Sequence, residues 1–355
     1  MSCIMDRILE NKFVLIAEIG VNYYDIADKL KISNMEAAKL MVKEAKQAGI
    51  HAVKFQTYKA ETLASKNSPS YWDVSEESTK SQYDLFKKFD SFGYEEYKEI
   101  HDYCNNIGIE FLSTPFDMNS ADYLYDLMGV YKISSSDLTN LPFIEYQAKK
   151  NKPIILSVGA SNVDEIEKAV EVIRSVNDKT LVLMHCVLEY PTPYNHANLN
   201  KIVSLKKHFP DLIIGYSDHT KPDVNMDVLK TAYNLGATVI EKHFTLDKSL
   251  KGNDHYHAMD PKDAKKIIND IEFIDNLRGS YDIQCLESEL SARKNARRSI
   301  VAAENIKKGS IITREMLTFK RPGTGISPSQ IDEIIGKVAV CDIDKDAILI
   351  KEWLQ

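Results

Sequence analysis

Residues 237–247 read ATVIEKHFTLD. Ala237 to Ile240 form the apolar, β-branched run of a strand buried on both faces, as strands of a parallel sheet are. Glu241, Lys242 and His243 follow at once, so this strand ends on three ionisable groups. Seven other runs share the form: FVLIAEIG (13–20), AVKFQT (52–57), IEFLSTP (109–115), VYKISS (130–135), PIILSVG (153–159), LVLMHC (181–186) and LIIGYSDHT (212–220). Segments with helical period alternate with them. SNMEAAKLMVKEAKQAG opens on a capping box, Ser33 with Glu36, and stops at Gly49. ASNVDEIEKAVEVI opens at Ser161 and puts Ile166, Ala169, Val170 and Ile173 on one face. Eight β-then-α units predict an α/β fold, a (β/α)8 TIM barrel over residues 1–283, rather than an open sheet.

Two segments depart from that rhythm. Residues 58–92 are too long for a plain loop and mix polar turns with aromatics. They leave the C-terminal end of the second strand, so they form either an ordinary excursion ending in an amphipathic helix or a cover over a substrate. In the tail, SIVAAENIKKGSIITREML (299–317) aligns without gaps on GKVAVCDIDKDAILIKEWL (336–354). This repeat predicts a small pseudo-symmetric β domain over 298–355, joined through a polar linker at 284–297.

Composition narrows the function classes. The 355 residues carry a net charge of −7, which argues against general binding to nucleic acid or anionic membranes. No apolar run approaches the ~20 residues of a membrane span. The N-terminal MSCIMDRILENKF has an early acid and no apolar core, so it does not read as a secretion signal. Five scattered cysteines without a C-x-x-C pair suit a reducing cytoplasm.

A barrel of this kind does its chemistry at the C-terminal strand ends. Here those ends carry Glu18, Lys54 and Gln56, Ser113 and Thr114, Lys132 and Ser135, Ser157, His185 and Cys186, Ser217 to His219, and Glu241 to His243. Lys54, Lys132, Thr114, Ser135, Ser157 and Ser217 would ring the mouth with cations and hydroxyls, which suits a small phosphorylated, carboxylated anion. His219 and His243, on neighbouring strands and flanked by Asp218 and Glu241, could share one divalent metal with coordination positions left open. GNDHYHAMDP (252–261) offers Asp254, His255 and His257, but its H-x-H lies in a loop past the last strand and is set aside as a ligand.

The motifs AEIGVN (17–22), VKFQTY (53–58), FLSTPF (111–116), YKISS (131–135), ILSVG (155–159), HCVLEYPTPY (185–194), IGYSDHT (214–220), EKHFT (241–245), GNDH (252–255) and KRPGTG (320–325) run in order over nearly the whole chain. In them the sequence resembles the sialic acid synthases, which condense phosphoenolpyruvate with an N-acetylhexosamine. The resemblance implies that His219 and His243 bind the metal, usually Mn2+, with Mg2+ or Co2+ as other options. It assigns Lys54, Thr114, Lys132, Ser135, Ser157 and Ser217 to phosphoenolpyruvate. Gln56, Tyr190 and Asp254 go to the acyl sugar, and Glu18 and Glu241 become active-site carboxylates. The tail looks like the family's SAF, or antifreeze-like, domain. Its Arg321 matches an arginine that reaches the partner's active site in a domain-swapped homodimer.

Two departures stand near the sugar and anion. KISSSD puts Asp137, the third candidate catalytic carboxylate for handling protons, where better-known members have a glutamate, and Leu188 replaces an asparagine found in some members. The implied reaction joins phosphoenolpyruvate to N-acetylmannosamine, giving N-acetylneuraminate and phosphate. A 2,4-diacetamido-trideoxyhexose acceptor, giving legionaminate or pseudaminate, is the alternative. A metal-dependent sugar isomerase or hydrolase is the rival enzyme class, but such sites recruit more carboxylate ligands. A non-enzymatic binding role rests on the tail alone.

Overall fold

The computed structural model describes residues 3–355 except Asp73 and Asn253; Asn253, within the GNDH motif, therefore lies outside the described residues. It divides into two compact units, Met1–Arg278 and Gly279–Gln355.

The first unit is the expected α/β barrel. Its parallel strands are β1 (Val14–Gly20), β2 (Ala52–Thr57), β3 (Glu110–Pro115), β4 (Tyr131–Ile133), β5 (Ile154–Ser157), β6 (Leu181–Cys186), β7 (Ile213–Asp218) and β8 (Val239–His243). They hydrogen-bond in the order β3-β2-β1-β8-β7-β6-β5-β4, with β1 against β8. The sheet thus curls round on itself, and β3 and β4 lie side by side without a ladder among the described residues.

Two apolar layers follow from the two-residue period of a strand. Val14, Ile16, Ala52, Leu112, Ile155 and Val239 fill the inside of the barrel. Leu15, Ala17, Val53, Phe55, Phe111 and Ile240 face outward into the larger core under the helices. The helix Cys3–Leu9 plugs the N-terminal end, adding Ile4, Met5 and Ile8 to the inner layer. Gly215 is required by close approach: a Cβ there would stand 2.6 Å from the Val239 carbonyl oxygen.

The helix Asn34–Gln47 has the expected capping box, with Ser33 Oγ accepting the Glu36 N–H at 3.1 Å. The helix Val163–Val176 starts later than Ser161, because Glu165 Oε2 accepts the Asn162 N–H at 2.8 Å and makes Asn162 its boundary. Among the described residues no helix is long and apolar enough to cross a membrane.

The second unit pairs β9 (Ser299–Ala302) with β10 (Leu317–Lys320) antiparallel. The repeat has a structural counterpart. Ile306 and Ile343, equivalent in the two copies, exchange N–H···O bonds of 2.8 Å each. Ile312 N–H to Lys337 O is likewise matched by Leu349 N–H to Ile300 O.

Candidate active site

Strand parity selects the residues that meet at the mouth. Counting in twos along the inner layer, Val14 and Ile16 lead to Glu18, Ala52 to Lys54 and Gln56, and Leu112 to Thr114. Val130 leads to Lys132, Ile155 to Ser157, Gly215 to Ser217 and His219, and Val239 to Glu241 and His243. Register aligns them across strands: Glu18 pairs with Lys54 on one side and His243 on the other, and Ser217 pairs with Glu241. They line a recess of about 420 Å³ together with Ser135, Cys186, Leu188 and Tyr190.

Two ammonium groups and two carboxylates form its floor. Lys54 Nζ lies 2.5 Å from Glu18 Oε2, 3.7 Å from Glu241 Oε1 and 3.1 Å from Thr114 Oγ1. Lys132 Nζ lies 3.8 Å from Glu241 Oε1 and donates to Ser157 Oγ at 2.8 Å. Ser217 Oγ donates to Glu241 Oε1 at 3.2 Å, and Gln56 Nε2 donates to Glu18 Oε1 at 2.8 Å. Ser135 Oγ is engaged by the Gly159 N–H at 2.8 Å.

All four charges are buried, yet the two carboxylates diverge. Burial, reinforced by the charge of Glu241, raises Glu18 above the usual carboxylate range despite Lys54. Glu241 is lowered, because Lys132 and Lys54 together outweigh its burial. Of the two, Glu18 is therefore the carboxyl that takes up a proton more readily.

The opposite parity removes several expected residues from the mouth. Lys242 is buried on the outer side, bonded to Asp218 and the Thr220 carbonyl. Asp218 also accepts from Tyr216 and Thr220, so it does not flank the histidine pair. His185 stacks on Tyr216 and meets the Ala197 carbonyl at 2.8 Å, and Ser113 bonds Thr57 at 2.6 Å. Of the three ionisable groups at the end of β8, two face the mouth and one ties β8 to the end of β7.

Imidazoles gather on one side of the recess. The ring centroids of His219 and His243 are 5.5 Å apart. His219 Nδ1 meets the Val187 carbonyl at 2.7 Å, which leaves Nε2 with its lone pair. Among the described residues His243 Nδ1 is buried without a hydrogen-bond partner, 3.7 Å from Asp254 Oδ2. Burial holds His219 near a pKa of about 4 and His243 well below the ordinary value, so both are neutral and free to ligate. These donors fit a divalent cation.

The loop after β8 contributes more than expected. It returns alongside the strand, with Met259 N–H donating to His243 O at 2.8 Å and Thr245 N–H donating to Met259 O at 3.0 Å. That ladder carries His257 to 4.7 Å from His243, centroid to centroid. The ligating atoms of His243, Asp254 and His257 all lie within 4.8 Å of one another. The H-x-H lies in a loop past β8 as expected, and the return of that loop brings His257 beside the histidine pair. His255 is structural, held by Thr245 at 2.8 Å and Asp25 at 3.0 Å. The strand period stops at His243, so only the return of the loop reveals His257.

Beside this recess opens a second, about 680 Å³, lined by Gln56, Tyr190, His243 and Asp254 on the barrel side. Tyr71, Trp72, Leu85, Phe86 and Phe89, all from residues 58–92, line its other side. Tyr190 lies between the recesses, its ring 4.2 Å from that of His219. Burial, with Glu18 adding to it, pushes Asp254 up to about 7. Asp137 sits in a short turn, Ser135–Asp137, and is not among the lining residues of either recess; burial pushes it up to about 6. Arg321 belongs to the second unit.

Comparison with known proteins accords with this arrangement. The NeuB family matches residues 41–282 and the SAF domain residues 297–352. An N,N'-diacetyllegionaminic acid synthase of Legionella pneumophila is 37% identical over 96% of this chain and 94% of its own. One of Campylobacter jejuni is 37% identical over 95% of this chain and 99% of its own. The crystal structure of the N-acetylneuraminic acid (sialic acid) synthetase of Leptospira borgpetersenii, in complex with citrate, superposes with a TM-score of 0.68 at 30% identity, covering 79% of this chain and 90% of that one. With this match spanning most of the barrel and the tail, the chain belongs to the NeuB family of nonulosonic acid synthases, enzymes of the transferase type.

Proposed function

We propose that the protein condenses phosphoenolpyruvate with a 2,4-diacetamido-trideoxyhexose, releasing phosphate and giving a legionaminate-type nine-carbon acid. The observation that carries the reaction type is the buried quartet Glu18–Lys54–Glu241–Lys132 beside neutral imidazoles at one barrel rim. The legionaminic acid synthases at 37% identity and the aromatic wall of the second recess favour this acceptor. The Leptospira structure supports the second reading, N-acetylmannosamine giving N-acetylneuraminate.

In the reaction a carbon–carbon bond forms between C3 of the enol and the aldehyde carbon. Water adds at C2, and the C2–O bond to phosphate breaks. A divalent metal, Mn2+ in this reading, would be held by His219 and His243 and supply Lewis-acid polarisation of a substrate oxygen. Lys54 and Lys132 bind the carboxylate and phosphate of the enol, with Thr114, Ser135, Ser157 and Ser217 directing them. Glu18, raised by its burial, takes up a proton more readily than Glu241 does. Glu18 is thereby the group that can give a proton to the new alkoxide, and Gln56 fixes its orientation. Glu241, held ionised, takes a proton from the attacking water. Gln56, Tyr190 and Asp254 place the sugar.

The test is phosphate release from phosphoenolpyruvate by purified protein with Mn2+ and a panel of acceptors. The reading requires release that depends on acceptor and is fastest with the 2,4-diacetamido sugar. Preference for N-acetylmannosamine selects the second reading, and acceptor-independent release refutes both.

A further inference from the structure

Three imidazoles, not two, converge beyond the end of β8. The ring of His257 stands 4.7 Å from His243 and 6.1 Å from His219, centroid to centroid, with interplanar angles of 63° and 79°. His257 is fully buried, and among the described residues neither of its ring nitrogens has a hydrogen-bond partner. Asp254 Oδ1 lies 4.0 Å from its Nε2, beyond hydrogen-bonding reach.

That loneliness is unusual within this barrel. His255 is held by Thr245 and Asp25, His185 by the Ala197 carbonyl, His219 by the Val187 carbonyl and His51 by the Leu15 N–H. Leaving a buried polar group unsatisfied is costly. The backbone ladder through Met259 nevertheless holds His257 at this point. Burial and the neighbouring His219 keep it neutral, so it offers a lone pair and not a charge. The ligating atoms of His243, Asp254 and His257 lie within 4.8 Å of one another. A cation bonded at about 2.0–2.2 Å joins donors up to about 4.4 Å apart, so a contraction of a few tenths of an ångström brings all three to one ion.

We propose that His257 is a direct ligand of the divalent cation, sharing it with His243 and Asp254 beside His219. This rests on the proposed function only for the presence of a cation at the mouth. The H-x-H segment thus supplies one structural imidazole, His255, and one ligating imidazole, His257. An added nitrogen donor favours Co2+, Ni2+ or Zn2+ over the oxygen-preferring Mg2+.

The experiment uses full-length protein stripped with chelator and titrated with Co2+, read by the visible d–d band and by calorimetry. His257→Ala is expected to bind Co2+ at least about tenfold more weakly, since even partners of ligands change metal affinity by that factor. Its d–d band should also shift. A variant that binds Co2+ with the parent's affinity and spectrum overturns the proposal. Should His257→Ala fail to fold, wild-type protein labelled with 15N-histidine and titrated with Zn2+ decides. Shifts at the ring nitrogens of His219, His243 and His257 support the proposal, and an unmoved His257 refutes it. Both readouts are independent of turnover, so absent phosphate release would refute the proposed reaction and leave the ligand assignment standing.

Discussion

Lys54 Nζ stands 2.5 Å from Glu18 Oε2 and 3.7 Å from Glu241 Oε1, so one buried ammonium serves two carboxylates. Removing one member of such a group leaves an uncompensated charge in the interior, which costs about 3–5 kcal/mol. Lys54→Met should lower stability by that order in urea unfolding. Adding Glu18→Gln should recover much of the loss, because it deletes the carboxylate that Lys54 approaches most closely. A double variant no more stable than Lys54→Met would show that the contact carries no such charge coupling.

The barrel and most of the quartet were legible because each strand is a short apolar run and its polar end keeps the same two-residue period. Glu18, Lys54, Thr114, Lys132, Ser157, Ser217 and Glu241 all fall on the parity of the inner apolar layer. The same strand ends also carry Ser113, His185, Asp218 and Lys242, which face outward. Composition at a strand end does not separate the two sets, whereas parity does. The excursion at 58–92 was legible as a possible cover, but neither His257 nor the particular aromatics of the wall were, because a returning loop and a long excursion place them and neither has a period.

His51 sits away from the mouth, where its Nδ1 accepts the Leu15 N–H at 2.9 Å and burial holds it at about 4. The unfolded value is 6.5, so between these limits the unfolded chain binds the extra proton. The stabilisation is complete above pH 6.5 and is lost as pH falls through 4, amounting to about 3 kcal/mol. His51→Asn keeps an acceptor and removes the titration. Its urea midpoint should fall less than the parent's between pH 6.5 and 4; parallel declines would exclude His51 as a source of acid sensitivity.

Asp137 has the opposite sign. Its folded value of about 6 exceeds the ordinary 3.8, and among the described residues its buried Oδ2 has no hydrogen-bond partner. The folded chain holds the proton more tightly, so stability declines as pH rises from 3.8 through 6 and stays reduced above it. Asp137→Asn should therefore stabilise the protein at pH 7.5 by about 1–3 kcal/mol, the lower figure if the new amide finds no acceptor. At pH 4 the gain should vanish. Thermal midpoints across this range provide the check, and a gain independent of pH would refute the burial of an ionising carboxyl here.

Residues 58–92 set one side of the second recess with Tyr71, Trp72, Leu85, Phe86 and Phe89, facing the polar Gln56 and Asp254. A wall of this kind has little to offer a hydroxylated sugar tail, but it packs well against methyl and acetamido groups. Discrimination by such a pocket is modest, about 1–3 kcal/mol for a change of one small group. Phe86→Ala and Phe89→Ala should raise KM for the 2,4-diacetamido acceptor by about tenfold, and leave KM for phosphoenolpyruvate within about twofold. The enol contacts lie across Gln56 in the neighbouring recess, which is why the two constants should separate. Steady-state kinetics with each substrate varied in turn distinguishes the outcomes. If both constants rise together, the excursion supports the whole mouth and does not select the sugar; if neither moves, it is not part of the acceptor site.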